Sequence, residues 1–87
     1  MNSHQKLALE RLIKIAKRDT GQCRRVANFL LSWWNAEACG AWDLTDVWSL
    51  DRAITDDIFI VLGFVAQGCV YPDRLGYKTD FQEILRQ

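Results

Sequence analysis

Pro72 is the only proline in this chain, and apolar side chains recur at helical spacing through almost everything before it. Proline interrupts a helix by removing a backbone donor and clashing with the preceding turn, so its confinement to one late position leaves the rest free to coil. No stretch alternates apolar and polar side chains as a half-buried strand does. The pattern predicts an all-α, single-domain helical bundle over residues 1–87. It has three main helices, at about 4–18, 21–38 and 50–67, and short helices near 43–48 and 80–86.

The first helix places Leu9, Leu12, Ile13 and Ala16 on one stripe. Asp19 with Gln22 can form a capping box for the second helix, and Thr20 is the rival cap. Val26, Phe29, Leu30, Trp33 and Trp34 make that helix apolar on most sides, which predicts a central position. Gly40 is the residue to end it. Asp43 caps a connector up to Trp48, and Ser49 caps the third helix, which is apolar nearly all round after Ile58 and stops at Gly68. Thr79 and Gln82 suggest a second capping box, before Phe81, Ile84 and Leu85. Leu30 and Trp34 are expected to be core residues.

The charges are sorted along the chain. Residues 1–25 carry seven basic and two acidic side chains, a net of +5, whereas residues 26–87 carry four basic and nine acidic ones, a net of −5. Such asymmetry suits a phosphate-binding face, or a basic helix docked on an acidic body. Lys14, Lys17, Arg18, Arg24 and Arg25 cluster around the turn between the first two helices. Lys17 and Arg18 suit a helix C-terminus, but Arg24 and Arg25 sit at a helix start, where cations are disfavoured. A helix-turn-helix reading fits the turn, yet the second helix is too apolar for a recognition helix lying in a groove. The pair Asp56-Asp57 reads as a solvated helix edge or as the partner of Arg24 or Arg25.

Catalytic and metal chemistries find little support. His4, Cys23, Cys39 and Cys69 are widely spaced, without the close pairs that zinc sites use. The acidic residues between Asp43 and Asp57 lack the alternate-position spacing of an EF-hand. Cys23, in the first turn of the second helix beside Arg24 and Arg25, is the one thiol with a reason for a lowered pKa. The simpler reading is a packed capping-region cysteine. Three cysteines without a C-x-x-C pair suggest reduced thiols and a cytoplasmic protein. The longest apolar run, Ile58–Ala66, has nine residues, and a membrane span needs about 20.

Four tryptophans are a surplus for this length. Trp33 and Trp34 diverge by about 100° on a helix, so one fills the core while the other packs under the connector or is exposed. Trp42 and Trp48 lie in the connector, either buried by it as a lid or exposed as interface anchors.

Leu9 through Tyr77 resembles a family of small uncharacterised bacterial proteins. The resemblance rests on Leu9-Glu10-Arg11-Leu12, Arg18-Asp19-Thr20-Gly21-Gln22, Arg24-Arg25-Val26-Ala27, Phe29-Leu30-Leu31-Ser32-Trp33-Trp34-Asn35, Asp43-Leu44-Thr45-Asp46, Tyr71-Pro72-Asp73 and Leu75-Gly76-Tyr77. Members look like accessory products of plasmids and integrative elements in proteobacteria. The resemblance implies no catalytic residue.

The functional expectation is a non-enzymatic accessory protein that binds another macromolecule, with no cofactor, metal, membrane or small-molecule substrate. A protein partner, including a second copy, is the first choice. Its contacts are expected at Lys14, Lys17, Arg18, Arg24, Arg25, Trp42 and Trp48. The alternative is nucleic-acid binding through the basic segment.

Overall fold

The apolar stripe of the first helix determines how the chain packs. The computed structural model describes residues 1–87 as four α-helices and two 3-10 turns, without strands. The helices are α1 (Ser3–Ala16), α2 (Gly21–Cys39), α3 (Arg52–Gly68) and α4 (Lys78–Leu85); the turns are Leu44–Ser49 and Pro72–Leu75. Helix α1 packs on α2, α3 and α4, whereas α2 packs chiefly on α1, α4 and the second turn. Helix α2 is thus contacted by several elements as its composition predicts, but α1 is the centre. Ala8 and Ala16 are fully buried beside Leu9 and Leu12. Small side chains at those positions let neighbouring helices come close.

Several helix ends depart from the local sequence signals. Asn2 and Gln5 form a reciprocal capping box at the start of α1, with bonds of 2.7 and 3.1 Å. Thr20, not Asp19, caps α2 by accepting from the Cys23 N–H at 3.3 Å. Gln22 is unavailable for a capping box because its side-chain carbonyl accepts the Asp51 N–H at 2.6 Å. That bond holds the entry to α3, which starts at Arg52 after Asp51 instead of at Leu50 after Ser49. Ser49 is used up as the last residue of the preceding turn. The Thr79–Gln82 box does not form either. Helix α4 starts at Lys78, and the Tyr77 carbonyl already accepts the Phe81 N–H at 3.0 Å.

Two glycines end helices differently. Gly40 closes α2 with φ +94° and ψ 152°, a positive φ that glycine permits, but not in the left-handed helical turn that its position suggests. Gly68 stays helical, and Cys69 takes the left-handed conformation after it (φ 51°, ψ 39°). A Cβ on Gly68 would lie 2.9 Å from the Phe64 ring, so this glycine makes room for an aromatic. Within α2, Asn35 leaves the helical region (φ −163°, ψ 89°), and its side-chain carbonyl re-caps the last turn by accepting the Ala38 N–H at 3.1 Å.

The core centres on Leu9, Leu12, Val26, Leu30, Ile58, Val61 and Phe81, none of which touches solvent. Trp33 and Trp34 do not divide into one core and one surface side chain. Both are half-buried and hold Phe81 edge-on, with centroids 6.1 and 6.0 Å from its ring. A 100° divergence on α2 allows this because Phe81 of α4 sits between them. Tyr77 ties the start of α4 to α1: its hydroxyl donates to Glu10 Oε2 at 3.0 Å.

Two outcomes are expected. Phe81→Ala should cost about 3–5 kcal/mol and Leu30→Ala about 2–5 kcal/mol in urea denaturation, because each leaves a cavity lined by apolar side chains. Partial burial and the bond to Glu10 push the Tyr77 hydroxyl up to about 12. A raised pKa stabilises the fold fully below the unfolded value of roughly 10, and that stabilisation is lost as pH climbs through the folded value. The thermal midpoint should fall across this alkaline window, and Tyr77→Phe should flatten the fall.

Candidate partner-binding surface

The basic segment comes together where α1 ends and α2 begins, but most of its charge is already used. Lys17 Nζ lies 2.7 Å from both Asp80 Oδ1 and Glu83 Oε2 of α4. Hydrogen bonds to Asp80 and then Glu83 raise its pKa. Arg24 reaches back to Asp19 at 3.2 Å, and Arg25 reaches Asp46 in the connector at 3.6 Å. Lys14 and Arg18 are exposed and have no ion pair. They line an open groove between α1 and α3 that also exposes Asp56. The free cations therefore share their surface with a carboxylate.

The acidic pair separates. Asp57 is buried, 8 % exposed, and is held by Arg11 through two bonds of 2.9 and 2.8 Å. Those bonds and the adjacent carboxylate raise the Arg11 pKa. Asp56 stays in solvent. Neither carboxylate meets Arg24 or Arg25. Helix α3 lies against α1, so the nearest guanidinium for Asp57 is Arg11, on a face the sequence reading left unassigned.

Cys23 is buried, while Arg24 and Arg25 turn outward to Asp19 and Asp46. Cys39 is half-buried and Cys69 exposed. No three His, Cys, Asp or Glu side chains converge as a metal site would need. No helix is long and apolar enough to cross a membrane.

The two connector tryptophans behave oppositely. From Cys39 the chain runs back along α2 and is pinned three times. Trp42 packs edge-on against Phe29 (centroids 5.0 Å apart), Asp46 meets Arg25, and the Asp51 N–H meets Gln22. Trp42 is thus half-buried in the lid position, with its indole N–H enclosed and unpartnered. Asp43 caps the turn through the Thr45 hydroxyl (2.8 Å) and N–H (3.0 Å), and these bonds hold its carboxyl below the usual range. Trp48 is 84 % exposed at the far end of the same turn, and Leu44 is 70 % exposed at its start.

Other exposed apolar groups were not legible as such. Phe59 and Leu62 lie in the half of α3 that is apolar nearly all round, a pattern that suggests a core helix, yet both are exposed. The outer face of α3 is uncovered because α3 packs principally on α1 alone. Tyr71 is also exposed. It borders a groove of about 480 Å³ together with Ser32, Trp33, Val65, Cys69 and Val70. The Trp33 indole N–H donates to the Val70 carbonyl at 3.0 Å and fixes one wall of that groove.

No curated protein and no solved structure matches this chain. Residues 6–87 match a profile described as "Family of unknown function (DUF7673)", and the chain belongs to that family.

Proposed function

We propose that this is a non-enzymatic, cytoplasmic accessory protein that binds another protein through the apolar surface carrying Trp48. The observation that carries the reading is an indole presented to solvent from a turn that is itself held in place. Trp42, Asp46 and Asp51 fasten that turn to α2, so little conformational entropy remains to be lost when Trp48 is covered. Exposed tryptophans of this kind are the usual anchors of protein interfaces. The resemblance to products of plasmids and integrative elements in proteobacteria fits an accessory role, and three free thiols fit a reducing compartment.

Nucleic-acid binding has weaker support. Lys17, Arg24 and Arg25 have carboxylate partners within the chain, and Lys14 and Arg18 border a groove with Asp56. A phosphate backbone would have to displace or tolerate those acids.

Trp48→Ala should leave the unfolding free energy measured in urea nearly unchanged, within about 0.5 kcal/mol, because the side chain supports nothing in the fold. In affinity capture from the host, proteins retained by the wild type should be lost with this variant and kept with Lys14→Ala/Arg18→Ala. The reverse pattern would point to the basic segment and overturn the reading.

A further inference from the structure

We propose that the cleft between α2 and α4, beside the turn that joins α1 to α2, binds a small aliphatic carboxylic acid as its monoanion. This site is separate from the surface that carries Trp48 and does not depend on the protein-binding reading.

One face of α2 builds most of the cleft. Arg24, Ala27, Asn28 and Leu31 fall at helical steps of three and four residues, so all four lie on the same side. Ala16 of α1 and Ile84 of α4 add further walls. Ala16, Leu31 and Ile84 are buried and form an apolar floor, whereas Arg18, Arg24 and Asn28 are exposed and form a polar rim. Two of the walls are the methyl groups of Ala16 and Ala27, too short to fill the space in front of them. Cys39, from the last turn of α2 beyond the break at Asn35, lines the same space and is half-buried. The sequence predicts no small-molecule site because only the fold brings Ala16, Leu31 and Ile84 together.

Size and charge define the ligand. The volume is about 270 Å³, just below the roughly 300–1,000 Å³ of sites for drug-sized molecules. An apolar cavity of roughly 150 Å³ already takes up benzene, so an acid of about five or six carbons fits here. The charged groups at the rim are the guanidiniums of Arg18 and Arg24 and the carboxylate of Asp19, a net of +1. A monoanion balances that charge, whereas a phosphate monoester carries close to two negative charges at neutral pH and would leave a surplus beside Asp19.

The donors are free to receive a carboxylate. Arg18 has no ion pair and borders both this cleft and the groove between α1 and α3. Arg24 meets Asp19 through Nε and one terminal nitrogen at 3.2 Å, which leaves the other terminal nitrogen available. Both of those side chains stand largely in solvent, where an ion pair is worth little and yields to a competitor. The planar guanidinium fork matches a carboxylate, and the Asn28 amide supplies a neutral donor beside it. The remaining polar neighbour, Gln87, is tied to the Lys17 carbonyl. An aliphatic tail laid on Leu31 and Ile84 then leaves water, which a purely ionic site would not reward.

Titration of the isotope-labelled protein with hexanoate, hexanamide and hexyl phosphate, followed by amide chemical shifts, tests this. Hexanoate should move the Ala27, Asn28, Leu31 and Ile84 signals and saturate with a Kd of about 0.1–1 mM. Hexanamide, which has the shape without the charge, and hexyl phosphate should each bind at least ~10-fold more weakly. Saturating hexanoate should slow alkylation of Cys39 by N-ethylmaleimide and leave Cys69, which is exposed outside the cleft, unchanged. Arg18→Gln should weaken hexanoate at least ~10-fold, since it removes a charged donor that supports no ion pair in the fold. Ala27→Leu should fill the cleft and abolish both binding and protection with unchanged circular dichroism, and Trp48→Ala should bind as the wild type does. The proposal is overturned by the absence of saturable shifts below about 10 mM hexanoate, by equal binding of hexanamide, by preference for hexyl phosphate, or by unchanged affinity in Arg18→Gln.

Discussion

Helix α1 has a helix on three sides, and that arrangement decides what every other element can bury. Leu9 and Leu12 are fully buried in the core, and the small, equally buried Ala8 and Ala16 let the neighbouring helices come close. Helix α4 then closes the end of α1 through Lys17, Asp80 and Glu83 on the surface and Phe81 within. With only four helices, nothing is left to cover the far side of α3. Phe59 and Leu62 are exposed for that reason, not for lack of hydrophobicity.

The connector is the second consequence. It runs back along α2 and is fastened there at Phe29, Arg25 and Gln22. Its charged and polar bonds to Gln22 and Arg25 are modest individually, since they lie at or near the surface. Together with Trp42 on Phe29 they choose a path, and the path determines which tryptophan turns inward. Trp42 meets α2 early in the connector. Trp48 lies between the Asp46 and Asp51 attachments and is left in solvent.

The charge split along the chain is largely stitched up in three dimensions. Arg11, Lys17 and Arg25, all in the basic first part, bind Asp57, Asp80 with Glu83, and Asp46 in the acidic remainder. Arg24 and Arg25, disfavoured at a helix start by the dipole, are compensated by Asp19 and Asp46. Of the basic residues singled out as partner contacts, Lys14 and Arg18 remain free of such pairs. The candidate surface accordingly shifts from the basic turn to the apolar groups around Trp48.

Helical spacing and the single late proline were enough to establish an all-α chain with three main and two short helical segments, because those signals act within a few residues. The core positions Leu9, Leu12, Val26, Leu30 and Phe81 were legible for the same reason. Helix ends were less so: Gln22 forsakes a local capping box for Asp51, 29 residues away, and Gly68 serves the Phe64 ring instead of a turn. Side-chain partners and exposure were decided only by tertiary structure. Asp57 finds Arg11 across 46 residues, and the two faces of α3 differ because one has α1 beside it and the other has solvent. A one-dimensional pattern states which side chains prefer burial, but the number and placement of neighbouring elements determine which of them obtain it.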